Sequence, residues 1–391
     1  MKRLFLTLLI ILPLTAMAQS SETVSDDSVS SIVERMLDKK FKATFNIDFC
    51  SSLNGYFTEN EFDGASLKLN RLRLDLKGRI SEQFSFRVRQ SFNKSYSKNS
   101  TENVPNSLEY ANIQWHPNPG FKLTVGKQFL TIAGYEALAN SMYVREFADF
   151  NNNLNFYRLG ITGAMKLDQE RNHELQLQVA NNRGGTDLDI YPIGLPTGVE
   201  STKLPFITSI CWNGYFDDKA WNLIYGASVA PVAKGKNLYY LSCGNIYEKG
   251  PVFAYLDVMY SREEIDTQQR ITGLQGEGLI PVTAQNVEYL SFIAKFEYKF
   301  NSKWSAYVKG AYETSSVYKA EGVFAKGRYM TNWNAQASVE WVPFEKDKGF
   351  KLFAHYLYKG YSLEGPASFL NANVPDIQRI SLGAIYAIPV L

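Results

Sequence analysis

From Phe41 onward apolar residues recur at every second position. Ala43, Phe45, Ile47, Phe49 and Leu53 alternate with Lys42, Thr44, Asn46, Asp48, Ser52 and Asn54, the period of a strand with one oily and one wet face. The next two strands are as clear. Leu72, Leu74, Leu76 and Ile80 share one face, Ser81-Glu82-Gln83 makes a turn, and Phe84, Phe86, Val88 and Phe92 continue the pattern. Further strands are predicted around 109–116, 121–129, 157–167, 174–181, 206–216, 221–229, 238–247, 252–261, 287–300, 304–314, 331–342, 351–359 and 377–388, which brings the total to sixteen.

The connections fall into two classes. Short ones lie at 81–83, 116–120, 168–172, 217–219, 248–250, 301–303 and 344–349. Between them come longer ones near 55–65, 94–107, 130–156, 182–204, 231–237, 262–286, 315–330 and 360–376. A soluble β-sandwich gives no reason for such alternation. Short periplasmic turns, long extracellular loops and an even strand count are the pattern of an outer-membrane barrel. The expected fold is therefore all-β: a closed antiparallel transmembrane β-barrel of about sixteen strands, in the outer membrane of a Gram-negative bacterium. Closure pairs every backbone donor and acceptor within the bilayer and leaves no sticky edge.

The N-terminus fits that destination. Lys2 and Arg3 precede an apolar run from Leu4 to Leu14 and then Ala16-Met17-Ala18, the three parts of a secretory signal. The expected division is 1–18 as signal peptide, 19–40 as a periplasmic segment with a short helix near Ser30–Leu37, and 41–391 as barrel. No later stretch has the roughly 20 apolar residues of a spanning helix.

Composition sharpens the picture. The chain of 391 residues has 24 Tyr and 25 Phe, and the mean hydropathy is −0.23, the mixture expected of half-wet strands and aromatic girdles. Without Lys2 and Arg3, the 41 basic residues fall to 39 against 39 acidic ones. Any selectivity must therefore come from local charge, and nucleic acid is not an expected partner. Cys50, Cys211 and Cys243 have neither disulfide-framework nor zinc spacing and read as small strand residues. No metal or cofactor is expected.

Enzymatic readings find little support. His116, His173 and His355 stand in no catalytic motif, although His355 could meet a serine in space as in a barrel hydrolase. The glycines between Gly273 and Gly278 lie in a long loop rather than between a strand and a helix. A receptor or adhesin barrel working through its long loops is the alternative from another class.

If the oily face meets lipid, the wet face lines the lumen. On the second and third strands that face carries Arg71, Arg73, Asp75, Lys77 and Arg79, then Arg87 and Arg89. A basic column of this kind lowers the barrier for anions entering a narrow pore, and arginine forks suit phosphate. The same residues could instead pair with acids on neighbouring strands. Elsewhere the wet faces are mixed, with Arg158, Glu174, Asp257, Lys295, Glu297, Lys299, Lys309, Glu313, Glu340 and Arg379. The connection 130–156, with Glu136, Tyr143, Arg145 and Glu146, has the length and charge of a loop folded into the barrel to narrow it.

Several segments together resemble the phosphate-selective porin O and P family. They are Arg71-Leu72-Arg73-Leu74 running into Leu76-Lys77-Gly78-Arg79-Ile80, then Phe84-Ser85-Phe86-Arg87, Val125-Gly126-Lys127-Gln128-Phe129, Gly134-Tyr135-Glu136 and Arg145-Glu146. The resemblance implies a sixteen-stranded porin, usually trimeric, that passes small anionic solutes along an arginine ladder and through a lysine-bearing constriction. Transferred residue by residue, the ladder comes from Arg71, Arg73, Arg87 and Arg89, joined by Lys77 and Arg79. The constriction candidates are Lys127, Glu136, Arg145 and Arg158. Outer-membrane lipid and the barrel assembly machinery are the other implied partners. Two departures stand out: the inward-loop candidate has no lysine cluster, and the chain ends Tyr386-Ala387-Ile388-Pro389-Val390-Leu391 without a terminal aromatic.

Overall fold

Sixteen strands are what the alternation builds. They are β1 (Lys42–Thr58), β2 (Glu61–Arg79), β3 (Phe84–Ser91), β4 (Leu108–Asn118), β5 (Phe121–Phe129), β6 (Tyr157–Lys166), β7 (His173–Asn181) and β8 (Phe206–Phe216), followed by β9 (Trp221–Ala233), β10 (Lys236–Lys249), β11 (Val252–Ile265), β12 (Gln285–Lys299), β13 (Trp304–Val317), β14 (Gly327–Trp341), β15 (Phe350–Leu363) and β16 (Ile377–Pro389). This computed structural model describes residues 42–96, 101–132, 134–139, 144–183, 186–276, 281–370 and 372–390. The expected signal peptide, the helix within 19–40, Tyr143 and part of the glycine-rich stretch lie outside the described residues.

Each strand pairs antiparallel with its neighbours in sequence, and β16 closes on β1 through pairs such as Ile47↔Ile388 and Leu53↔Leu382. The outward side chains Ile113, Val125, Ile161, Leu177, Leu256 and Val308 are exposed. Such a band is what a hydrocarbon surrounding requires. Aromatics ring the short-turn rim, where Phe84, Trp115, Phe216 and Trp221 point outward and Trp304 stacks on Trp341 with centroids 5.7 Å apart. Tyr239, Tyr312 and Trp333 stand toward the other rim. Cys50, Cys211 and Cys243 are free and sit in strands.

Two of the connections expected to be long are tight turns. β1 and β2 run on to a two-residue turn at Glu59 and Asn60, with φ of 49° and 69°, and β9 and β10 meet at Lys234-Gly235. The physical reason is that a ladder needs an oily face only within the bilayer. Strands of 17 and 19 residues overshoot the 9–11 that span it, and alternation fades where the strand itself continues.

A change of phase on β2 is absorbed by a bulge. Outward positions shift from Leu67 and Leu69 to Leu72, Leu74 and Leu76, and the register slips between Cys50 and Ser51 accordingly. Asn70 and Arg71 therefore both turn inward. A similar slip between Arg89 and Gln90 turns Glu109 inward beside Tyr110.

Loops fill the lumen along the wall of β10 to β12. Phe150, Ile271, Leu274, Ala367 and Leu370 from three loops pack on the inward residues Tyr240, Met259 and Tyr289 as one apolar core. Inward positions there mix apolar residues with polar ones such as Asp257, Ser261 and Ser291, because loops cover that wall. The basic wall of β1 to β4 lies outside this core.

Candidate functional site

The connection 130–156 crosses from β5 to the opposite wall. It carries two one-turn helices, α1 (Tyr135–Leu138) and α2 (Asp149–Asn152), and carboxylates of the wall satisfy both of their free N-termini. Asp257 accepts the backbone N–H groups of Tyr135 and Glu136 at 3.0 and 2.7 Å, and Glu313 accepts those of Asp149 and Phe150 at 2.9 and 2.8 Å. Ion pairs complete the anchorage. Glu136 pairs with Lys309, Arg145 with Glu340 at 2.6 Å, and Glu146 with Lys359 at 2.9 Å and Arg379 at 3.0 Å. Asp149 also meets Lys359, at 2.9 Å. Burial pushes the Glu146 carboxyl up, but Lys359 and Arg379 outweigh it and hold the group below the usual carboxylate range. The loop is a fixed partition rather than a free flap.

The basic column on β2 and β3 divides into groups with different surroundings. Arg73 is 1% exposed, directly opposite Asp48 in the ladder, and donates to it through Nε at 2.9 Å, with Glu109 at 3.8 Å. It is a locked structural pair. Arg87 forks onto Asp75 at 2.9 and 2.8 Å, and Arg89 donates to the same carboxylate at 2.8 Å. The Arg87 guanidinium lies 3.9 Å from the Tyr110 ring centroid and that of Arg89 5.0 Å, so the tyrosine face holds both flat. Lys77 is 50% exposed, with Asp75 only at 3.8 Å. Arg79 turns to the short-turn rim and donates to the carbonyls of Ser81 and Glu82.

Two cavities lie between this wall and the inward loop. One, of about 310 Å³, has Lys77, Arg87 and Arg89 on one side and Ala137, Leu138 and Ala139 of the loop on the other. The second, of about 170 Å³, is lined by Lys68, Arg71, Arg145, Arg379 and His355 and by no carboxylate among the described residues. Arg71 Nη1, Arg379 Nε and His355 Nδ1 are buried there without a hydrogen-bond partner. A run of fixed cations with spare donors replaces part of the hydration an anion loses on entering.

The four constriction candidates do not come together. Arg145 lines the second cavity. Arg158 lines a separate space of about 750 Å³ toward the long-loop rim. Lys127 is buried in the wall, donating to Glu102 at 3.1 Å and to the Pro105 carbonyl at 3.3 Å. Glu136 is 0% exposed and accepts from Ala148 N–H and Asn151 Nδ2, which makes it a staple of the loop. Lys68, Tyr110 and Leu138 escaped the sequence reading, and His355 entered it only as a hydrolase candidate. The phase change at Asn70 was the available signal for Lys68; the others depend on closure and loop placement.

Of the histidines, His355 stands opposite Ser338 and Ser381 in the ladders, but its Nε2 meets Gln336 at 3.3 Å and, among the described residues, no serine hydrogen-bonds to it. His116 does meet Ser85, at 3.0 Å, but no hydrogen bond to a carboxylate orients its ring among the described residues. A nucleophile would need that third group.

The profile of the family described as phosphate-selective porin O and P matches residues 40–388. The chain belongs to that family. It is thus an outer-membrane porin of a Gram-negative cell, a channel protein whose short-turn rim faces the periplasm. Curated protein sequences include no match to it. Solved porins share its fold. The outer membrane channel DcaP of Acinetobacter baumannii superposes with a TM-score of 0.62 at 10% identity, over 89% of this chain and 97% of that one. OmpT of Vibrio cholerae, folded in vitro, gives 0.55 at 12% identity over 89% and 98%. The anion-selective porin from Comamonas acidovorans gives 0.55 at 9% over 89% and 100%. At these identities the likeness concerns the fold alone.

Proposed function

We propose that this porin allows passive diffusion of small solutes with a preference for anions, through the space between the basic wall and the inward loop. The observation that carries this reading is the local excess of positive charge. Arg71, Arg73, Lys77, Arg87 and Arg89 face Asp48, Asp75 and Glu109, and the adjoining cavity adds Lys68, while its Arg145 and Arg379 are balanced by Glu340 and Glu146. In a low-dielectric passage such an excess attracts anions and repels cations. The family and the anion-selective porin of the same fold agree with this direction. Reversal potentials in planar bilayers under a potassium chloride gradient test it. Cation preference, or no conductance, would sink it.

We also propose a homotrimer. Strands β3 to β7 have 8–11 residues whereas β9 to β16 have 13–15, so one side of the wall is low. A neighbouring copy would cover that side, and the OmpT relative is described in a trimer form. Migration of unheated protein as a single subunit after chemical crosslinking would refute it.

A further inference from the structure

We propose that the passage favours organic anions that carry a carboxylate on an apolar body over small hydrated oxyanions of the phosphate type. This rests on the anion-preferring reading above and names the solute class within it.

The two sides of the 310 Å³ cavity differ in kind. On the wall side stand Lys77, Arg87 and Arg89. The two lining acids are already engaged, Asp75 by Arg87 and Arg89 and Asp48 by Arg73. On the loop side the described residues are Ala137, Leu138 and Ala139, and Leu138 is 43% exposed although it sits on a loop otherwise tied down by ion pairs. Rings of Phe129, Tyr110 and Tyr157, with Asn46 and Ala387 from the wall, complete the described lining.

The loop has charged residues to spend, and the fold directs them elsewhere. Glu136, two residues before Leu138 and so about half a helical turn from it, points away to Lys309, and Arg145 points to Glu340. An anion at this level therefore meets cations on one flank and hydrocarbon on the other. A fully hydrated oxyanion must shed water toward Leu138 and receives no polar side chain in exchange from Ala137, Leu138 or Ala139. An aromatic or short aliphatic body sheds water there at a gain, while its carboxylate takes the cationic flank. A volume of 310 Å³ lies at the lower end of small-molecule sites, enough for a single ring.

The test uses the full-length protein in planar bilayers. Reversal potential under a potassium chloride gradient is measured first, then chloride on one side is exchanged for acetate, benzoate or inorganic phosphate, with permeabilities corrected for mobility in water. Benzoate is expected to exceed acetate and phosphate by about fivefold, the value of covering roughly 40 Å² of apolar surface. Leu138→Ser should bring benzoate down to acetate and raise phosphate relative to chloride. A channel that prefers chloride to potassium yet passes benzoate no better than acetate overturns the inference and leaves the anion reading standing. So does a Leu138→Ser channel in which all anions fall alike. Potassium preference in the first measurement instead removes the reading on which the inference rests.

Discussion

Lys77 and Arg73 carry the same charge four residues apart on β2, yet changing each to glutamine should have opposite consequences. Lys77 is half exposed to the passage and its nearest acid is 3.8 Å away. A monovalent ion passing about 5 Å from it gains or loses about 0.8 kcal/mol at the dielectric of water and about 3 kcal/mol at an effective value of 20. Because cations feel the opposite sign, even the lower figure changes the anion-to-cation permeability ratio about tenfold. Lys77→Gln should therefore cut anion preference by about that factor at 0.1 M salt and by much less at 1 M, where screening acts within about 3 Å. Barrel stability should stay the same. Arg73→Gln instead leaves Asp48 buried without its partner, with an expected loss of about 3–5 kcal/mol. Its selectivity should barely move. Reversal potentials at both salt concentrations and urea unfolding in detergent micelles read the two effects separately. The reasoning is refuted if Arg73→Gln keeps its stability and loses anion preference, since the column would then act as one continuous ladder.

Other consequences concern the loop and the wall. Glu146 has a carboxyl pKa below its ordinary value, so its anchorage is complete above the ordinary carboxylate range and is lost only as pH falls through the depressed value. Single-channel records should be steady from pH 7 down to about 4.5 and show loop-like flicker only below that; flicker that begins near pH 6 would contradict the assignment. Asp257→Ala removes the acceptor for two N–H groups at the start of α1, at about 1–2 kcal/mol, and should raise conductance noise while the barrel melts as before. Gly126 has φ of 119°, and a Cβ there would come within 2.3 Å of the Ala111 carbonyl oxygen. Gly126→Ala should cost roughly 1–3 kcal/mol from the backbone alone, measurable as a lower urea midpoint, whereas Gly235→Ala, with open space around it, should cost less.

The alternation of oily and wet positions was enough to determine the barrel, its sixteen strands, their order and the inward face of the Arg71 to Arg89 column. Period two assigns a side to every residue, and antiparallel closure follows from local connections. Even the bulge at Asn70 was written in the shift from Leu69 to Leu72. Only the tertiary structure decided what the inward residues do. Arg73 is spent on Asp48 while Lys77 stays open, because the partner comes from the neighbouring strand and not from the chain nearby. Arg71, Arg145 and Arg379 converge from β2, the loop and β16, positions more than 70 residues apart at the least. Lys127 and Glu136 look like pore residues in sequence and are buried by Glu102 and Lys309, 25 and 173 positions away. Periodicity reports which way a side chain points, but charge pairing in a closed barrel depends on which distant groups closure and the inward loop bring opposite it.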